Sequence, residues 1–484
     1  MKQKISKILV ANRGEIALRI IRACKELEIA SVAIFSTADL DGIWIRKSDE
    51  CYPITGDPIQ AYLDYERIIT LAKKANCDAI HPGYGFLSEN ADFAKACEDN
   101  GLIFIGPKPE YIALFGDKMA SKVAMKKLKV PVLEGTDEPV NNVEEGLAIS
   151  KDIGFPVIIK AAFGGGGRGM RIVREEEQFV ELFEAATSES MKFFGRDEVF
   201  IEKYVESPRH IEIQIIADKY GNVVHLGERD CSIQRRHQKV IEIAPSPGLK
   251  QETREKLYAI STNAMKELGY ESVGTMEYLL DAQDNIYFIE MNTRVQVEHP
   301  VTEIISGVDI IQRMIEISEG DKLKYTQDQI KLRGYAIEFR LNAEDPQKGF
   351  MPSAGKIETY LTPGGPGVRL DTSLYAGYEI PPYYDSMLGK LIVWALDWEG
   401  AVKKAKRALD EFHIEGIPTN IPLHRDIVRD EDFKQGRLDT GYLDQKLENF
   451  DLSQISYAKL EEERLAEVKA LLAIIQKNNI EVRH

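Results

Sequence analysis

No CxxC pair occurs among the five cysteines of this 484-residue chain, Cys24, Cys51, Cys77, Cys97 and Cys231. Reduced thiols of a cytosolic protein therefore explain them better than a disulfide or zinc framework does. Four read as plain core residues, and Cys231, set among charges, reads as a lining residue that nothing marks as a nucleophile. No apolar run is long enough to span a bilayer, and the opening MKQKISKILVANRGE enters a strand almost at once, with no apolar signal core. A soluble cytoplasmic protein is expected. Basic residues are in deficit, 62 Lys and Arg against 78 Asp and Glu, for a net charge of −16. That balance argues against a general binder of nucleic acid or anionic membrane, so any site for a polyanion must be local. Two nucleotide signatures are missing as well. The strand at residues 7–11 is followed by a lone Gly14 instead of GxGxxG, so no dinucleotide is assigned there, and the glycine-rich stretch at residues 164–169 lacks the GK[ST] ending of a Walker A loop.

What is present is a globular composition, 44% hydrophobic and 29% charged. The length suits about three domains. The organising stretch is TMEYLLDAQDNIYFIEMNTRVQVEH, residues 275–299. It reads as two strands joined by the polar turn 281–285, with Glu277 in the first and Glu290 in the second. Side chains alternate faces along a strand, so Ile289 and Met291 point away from Glu290, and pairing brings Glu277 and Glu290 together. With the amide oxygen of Asn292 they make the hard, oxygen-rich setting that Mg²⁺ or Mn²⁺ accepts when nucleotide phosphates supply further ligands. Arg294, Gln296, Glu298 and His299 follow within six residues of extended chain. Arg294 suits a small anion, and Glu298 its proton. A hairpin with solvated charges explains any one of these residues, but not the set.

The chain opens with a βαβ pattern: a strand at 7–11, a helical period through Ile16, Ile20 and Leu27, and a strand at 32–35. This predicts a parallel sheet. A helix over 65–75 and a strand at 79–81 lead to PGYGFLSEN, residues 82–90, where Gly83 and Gly85 flank Tyr84. That segment is a ligand-facing loop or a simple tight turn. In a small α+β module at about 144–205, the strand FPVIIKAAF carries Lys160 and runs into Gly164, Gly165, Gly166, Gly167, Arg168 and Gly169. Only glycine lets so many backbone N–H groups approach an anion, so phosphate binding under a mobile lid is favoured over a surface hairpin. Strand 210–217 alternates strictly, and after a strand at 223–226 comes the polar run GERDCSIQRRHQKVIEIAP. There Gln234, Arg235, Arg236, His237 and Lys239 form a cationic cluster for phosphates and an anionic co-substrate, or else a solvated loop. From residue 331 the chain turns β-rich, and Glu338 and Arg340 share a face of one strand, as an ion pair or as an anion-stabilising arginine. Residues 457–478 read as an amphipathic helix with Leu465, Val468, Leu472 and Ile475 at 3-4-3 spacing, suited to a partner chain or to its own domain.

Together these motifs resemble one family, biotin carboxylase, the ATP-grasp component of biotin-dependent carboxylases. The likeness runs over residues 1–447 through KILVANRGEIALRI, HPGYGFLSEN, FIGP, GDK, FGGGGRGMR, EKYVESPRHIEIQ, ERDCSIQRRHQKVIE, EMNTRVQVEHPVTE, FRLNAEDP and YYDSMLGKL. It implies an α/β and α+β chain of ATP-grasp fold. A Rossmann-like, pre-ATP-grasp domain would span 1–113 and the ATP-grasp domain 114–330, with a mobile lid at about 131–205. A β-rich C-terminal domain would span 331–447, and a helical tail, a candidate partner-docking segment, 448–484.

The resemblance also implies roles. Lys118, Lys160, His210, Gln234 and His237, with the glycines at 164–167 and 169, would contact ATP; Glu202, Lys203 and Val205 would form the adenine hinge, with Leu279 beneath the ring. Glu277, Glu290 and Asn292 would hold Mg²⁺ or Mn²⁺, in two sites. Arg294, Gln296, the Val297 backbone and Lys239 would bind bicarbonate, and Glu298 would deprotonate it. Attack on the γ-phosphate would give carboxyphosphate, which breaks down to CO₂ and phosphate. Arg340 would stabilise the biotin enolate, with Tyr84 and Asp385 in the biotin pocket. Carrier biotin normally sits in a Met-Lys-Met setting, and AMKKL, SMKFF and AMKEL all lack the second Met. The biotin carrier and the carboxyltransferase are therefore expected on separate chains, with a homodimer expected by family likeness. Pyruvate is the favoured final acceptor, ahead of another 2-oxo acid, acetyl-CoA or propionyl-CoA. A carboxylate–amine ligase of the same fold and a non-catalytic nucleotide sensor are the alternatives. The sensor has no need of Lys239, Arg294, Glu298 and Arg340.

Overall fold

The computed structural model of the protein describes residues 4–140, 142–161, 170–194, 198–454 and 457–477. Strand Lys7–Val10 leads through helix Gly14–Glu26 to a parallel partner, Ala30–Phe35. Five parallel strands result, in the order Glu50–Pro53, Ala30–Phe35, Lys7–Val10, Ala79–His81, Ile103–Phe104. This is the expected Rossmann-like layer, and ligand loops belong at its strand carboxyl ends. One of them is the loop after Ala79–His81. Gly83 sits there at φ +67°, and a Cβ on it would meet Asn12 Nδ2 at 2.9 Å. That same amide donates to the carbonyls of Pro82 and Tyr84 at 2.7 and 2.8 Å. Glycine is thus required for the loop to close on Asn12 and present Tyr84.

An eight-stranded antiparallel sheet dominates the remainder, in the order Ile286–Asn292, Ser272–Leu280, Arg209–Ala217, Val223–Arg235, Gln238–Ala244, Tyr335–Asn342, Met387–Ala395, Val368–Thr372. It runs without a break from the predicted ATP-grasp unit into the predicted C-terminal unit, with Ile241 opposite Phe339 where the two meet. Ile216, Val224, Leu226 and Val273 from this sheet pack with Ile16 and Ile20 of the first helix, which fixes the N-terminal layer against it. Ile337, Phe339, Leu391 and Val393 are covered by helix Trp398–Glu411. A separate three-stranded sheet of Arg171–Val173, Val157–Ala161 and Val199–Lys203 has its own core of Val157, Ile159, Phe179 and Ile201. This is the lid subdomain. The glycine loop at 164–169, Arg168 included, lies outside the described residues.

Three expectations need correction. The polar run after residue 226 is strand, not loop: Val223–Arg235 and Gln238–Ala244 form a hairpin that turns at Arg236 and His237, both at positive φ. Its Glu228, Arg229, Asp230 and Ser232 are buried, which a strand tolerates because each finds a polar partner. Residues 293–298 do not continue as extended chain to His299, because His299 begins the helix His299–Ser306, with Pro300 at its start. Cys51 is exposed, while the other four cysteines are buried. No helix of the described residues is long and apolar enough to cross a membrane.

Candidate active site

Register builds the site. Glu290 pairs with Glu277, Glu277 with Glu212, and Glu212 with Arg229, so four charged residues form a row across four adjacent strands. Two positions along, His210 pairs with Leu279. Alternation puts His210, Glu212 and Gln214 on one face, a signal present in HIEIQ that pointed to Glu212.

Glu277 is saturated with donors. Its Oε1 accepts from Lys239 Nζ at 3.0 Å, Asn292 Nδ2 at 2.7 Å and Gln296 Nε2 at 2.7 Å. Its Oε2 lies 2.6 Å from His210 Nε2, and the His210 Nδ1 lies 2.7 Å from Gln234. Lys239 also donates to Glu212 at 2.5 Å and to Glu298 at 2.7 Å. The other oxygen of Glu298 accepts from Arg340 at 2.9 Å, and Arg340 donates in turn to Glu242. Arg294 donates to Glu89 and to the Asn292 oxygen, each at 2.8 Å. The predicted bicarbonate and base residues therefore meet around one point, between Lys239 and Arg340.

The charges are strongly coupled. Burial works against ionisation of Glu298, but Lys239, Arg340 and Arg229 outweigh it and hold the carboxyl well below the usual carboxylate range. Burial likewise disfavours the Lys239 cation, and Glu212, Glu277 and Glu298 keep it charged. Glu290 goes the other way: burial, then the charge of Glu277, push it up, partly countered by Lys118. Two facing carboxylates that repel in this way, with oxygen donors alone, fit a divalent cation between them. The Asn292 oxygen is engaged by Arg294 and the carboxyls are its nearer candidates. Cys231 is fully buried and its thiol is pushed well above its ordinary value, which makes it inert.

The predicted hinge residues form a second cluster on the lid. Glu202 binds Lys160 at 2.6 Å and Lys122 at 3.1 Å. Burial opposes its ionisation, yet the two lysines bring it down to about 2. Lys203 donates to the carbonyls of Gly154 and Phe155 at 2.8 and 3.1 Å, so its side chain fastens the hinge. Lys118 opens helix Lys118–Lys127 behind its cap, Asp117.

On the far side of Arg340 lies a cavity of about 460 Å³, whose lining includes Tyr84, Val297, Tyr384 and Asp385. Tyr84 donates its hydroxyl to Glu15, Lys390 binds Glu15 at 3.1 Å, and Lys390 also donates to the Val297 carbonyl at 2.8 Å. Lys390 is fully buried and went unnoticed in the sequence, where SMLGKLIVWAL reads as an ordinary apolar strand.

Arg229 was missed too, because its segment was not read as strand. It is wholly buried and donates to Glu212, to Gln214 and Thr302 at 2.8 and 2.9 Å, and to Gln296 at 2.7 Å. Removing one member of a buried ion pair leaves the other uncompensated. Arg229→Met is expected to destabilise the chain by about 3 kcal/mol, read from urea unfolding. An unchanged unfolding midpoint would show that Glu212 is satisfied without it.

Models described as Biotin carboxylase, N-terminal domain, as Carbamoyl-phosphate synthase L chain, ATP binding domain, and as Biotin carboxylase C-terminal domain match residues 4–112, 117–326 and 338–445. Biotin carboxylase of a Nostoc species is 53% identical over 442 residues, covering 91% of this chain and 99% of that protein. A pyruvate carboxylase subunit of Methanothermobacter thermautotrophicus is 49% identical over 466 residues, 96% of this chain and 95% of its own. The crystal structure of the biotin carboxylase domain dimer of Hydrogenobacter thermophilus 2-oxoglutarate carboxylase, in complex with MgADP, ADP and bicarbonate, superposes with a TM-score of 0.90. It is 52% identical and covers 93% of this chain and 100% of that one. Matched in all three of its units, and at about half identity over nine-tenths of its length, this chain belongs to the biotin carboxylase family, ATP-grasp enzymes that carboxylate biotin with ATP and bicarbonate.

Proposed function

We propose that the chain carboxylates biotin on a separate carrier protein, as the first half-reaction of a two-chain 2-oxo acid carboxylase, with pyruvate the favoured acceptor. The observation that carries this is the position of Glu298, ion-paired to Lys239 on the acid-row side and to Arg340 on the cavity side. One carboxylate thereby adjoins both half-sites.

The residue roles follow from charge. Lys118, Lys160, His210, Gln234 and His237, with the glycine loop at 164–169, take the nucleotide phosphates, and Glu202, Lys203, Val205 and Leu279 its base. Glu277 and Glu290, with Asn292, hold the divalent ion, which neutralises phosphate charge when bound. Lys239, Arg294, Gln296 and the Val297 N–H take bicarbonate. The arriving anion shares Lys239 and Arg340 with Glu298, and loss of exclusive pairing raises the proton affinity of Glu298 towards that of a working base. As the bicarbonate oxygen attacks the γ-phosphorus and ADP departs, Glu298 accepts the bicarbonate proton. Carboxyphosphate then divides into CO₂ and phosphate. The phosphate takes the ureido N–H proton of biotin, seated between Tyr84, Asp385 and Arg340; Arg340 holds the enolate oxygen while the nitrogen forms its bond to CO₂.

The acceptor is tested with labelled bicarbonate, MgATP and the purified carrier–carboxyltransferase chain of the same organism. Label is expected in acid-stable product with pyruvate. Label only with 2-oxoglutarate would move the assignment within 2-oxo acids, and label only with an acyl-CoA would overturn it. The same preparations are expected to behave as homodimers, as the Hydrogenobacter domain does.

A further inference from the structure

The body of the protein closes later than its motifs suggest. Phe450 and Leu452 pack on the C-terminal core, and the Gln454 amide donates to the Thr419 carbonyl at 2.7 Å. Beyond this anchor stands helix Tyr457–Lys477. Every residue from 462 to 473 is exposed, with Leu465 at 53%, Val468 at 49%, Leu471 at 59% and Leu472 at 51%. Four large apolar side chains on one short helix, none folded onto the chain's own body, form an unpartnered face. The stripe from Leu465 to Leu472 covers only about 10 Å of helix axis. That is too short for a self-standing coiled coil, which needs three or more heptads, but it suits insertion into a groove on a folded partner.

The relatives' lengths indicate which partner. The Nostoc biotin carboxylase is used up, at 99% of its length, by an alignment of 442 residues. The alignment with the Methanothermobacter pyruvate carboxylase chain covers 96% of the 484 residues here, leaving about 19 unaligned, so it must reach into this helix. The helix is thus shared with a relative that is one component of a 2-oxo acid carboxylase, and lies beyond what a biotin carboxylase of shorter length requires.

We infer that the exposed face of helix Tyr457–Lys477 docks the chain into an apolar groove on the separate polypeptide that carries carboxyltransferase and biotin carrier. This rests on the two-chain reading above. The test uses full-length protein bearing Leu465→Asp and Leu472→Asp together, and a second variant ending after Gln454. Each is titrated with the purified carrier–carboxyltransferase chain by calorimetry, alongside turnover with free biotin. Both variants should bind that chain at least about a hundredfold more weakly and keep free-biotin turnover within about twofold of wild type. Unchanged affinity overturns the docking site, and so does a change in the chain's own oligomeric mass on truncation, which would make a second copy the occupant. Absence of free-biotin turnover in the wild type would instead defeat the biotin carboxylase reading itself, so the two failures are separable.

Discussion

Glu298→Gln should lower bicarbonate-dependent ATP cleavage about 10³-fold through kcat, with KM for ATP unchanged. Glutamine keeps the volume and can still accept from Lys239 at 2.7 Å and Arg340 at 2.9 Å, so the site's packing survives. What it loses is a basic oxygen. It also loses a negative charge that competes with bicarbonate for the same two cations, so KM for bicarbonate should hold or fall. A structural role would give the opposite split, a raised KM for both substrates. Steady-state ADP release across both concentrations decides between the two. A variant with full kcat would remove Glu298 from the chemistry.

Arg340→Gln should separate the two half-sites. The guanidinium bridges Glu242 and Glu298 and lines the cavity with Tyr84 and Asp385. Its fork can hold Glu298 and a developing enolate at once, which a single ammonium cannot, so Arg340→Lys should fail as well. Carboxylation of free biotin is expected to fall about 10²- to 10³-fold, while slow bicarbonate-dependent ATP cleavage without biotin stays within about tenfold. Paired assays with and without biotin measure this. An equal loss in both would place Arg340 in the first step alone. Glu242 adds a check: burial and the Glu298 charge push it up to about 7 even with Arg340 beside it, so an Arg340 variant should leave Glu242 neutral at neutral pH instead of unfolding the strand pair.

Much of the fold was legible because its signals are local. The alternation of HIEIQIIA, the βαβ opening and the paired acids of residues 275–299 each follow from side-chain period and turn chemistry. The strand Val223–Arg235 was not, because buried charge reads as loop until its partners are known, and those partners sit on other strands and on helix His299–Ser306. Arg229, Glu212 and Lys390 were missed for that reason: a charge in a core is explained by what it meets across the sheet, and register is a tertiary fact. Glu298 itself stood out by its neighbours Arg294 and Gln296, yet its pairing to both Lys239 and Arg340 needed the fold to bring three segments together.

The most direct measurement is transfer of label from bicarbonate to free biotin by the purified chain with MgATP, counted as acid-labile carboxybiotin beside ADP released. Biotin should raise ADP release, and label should appear in biotin in proportion to the added ADP, with none from Glu298→Gln. ADP release indifferent to biotin, with no label recovered in it, would contradict the assignment.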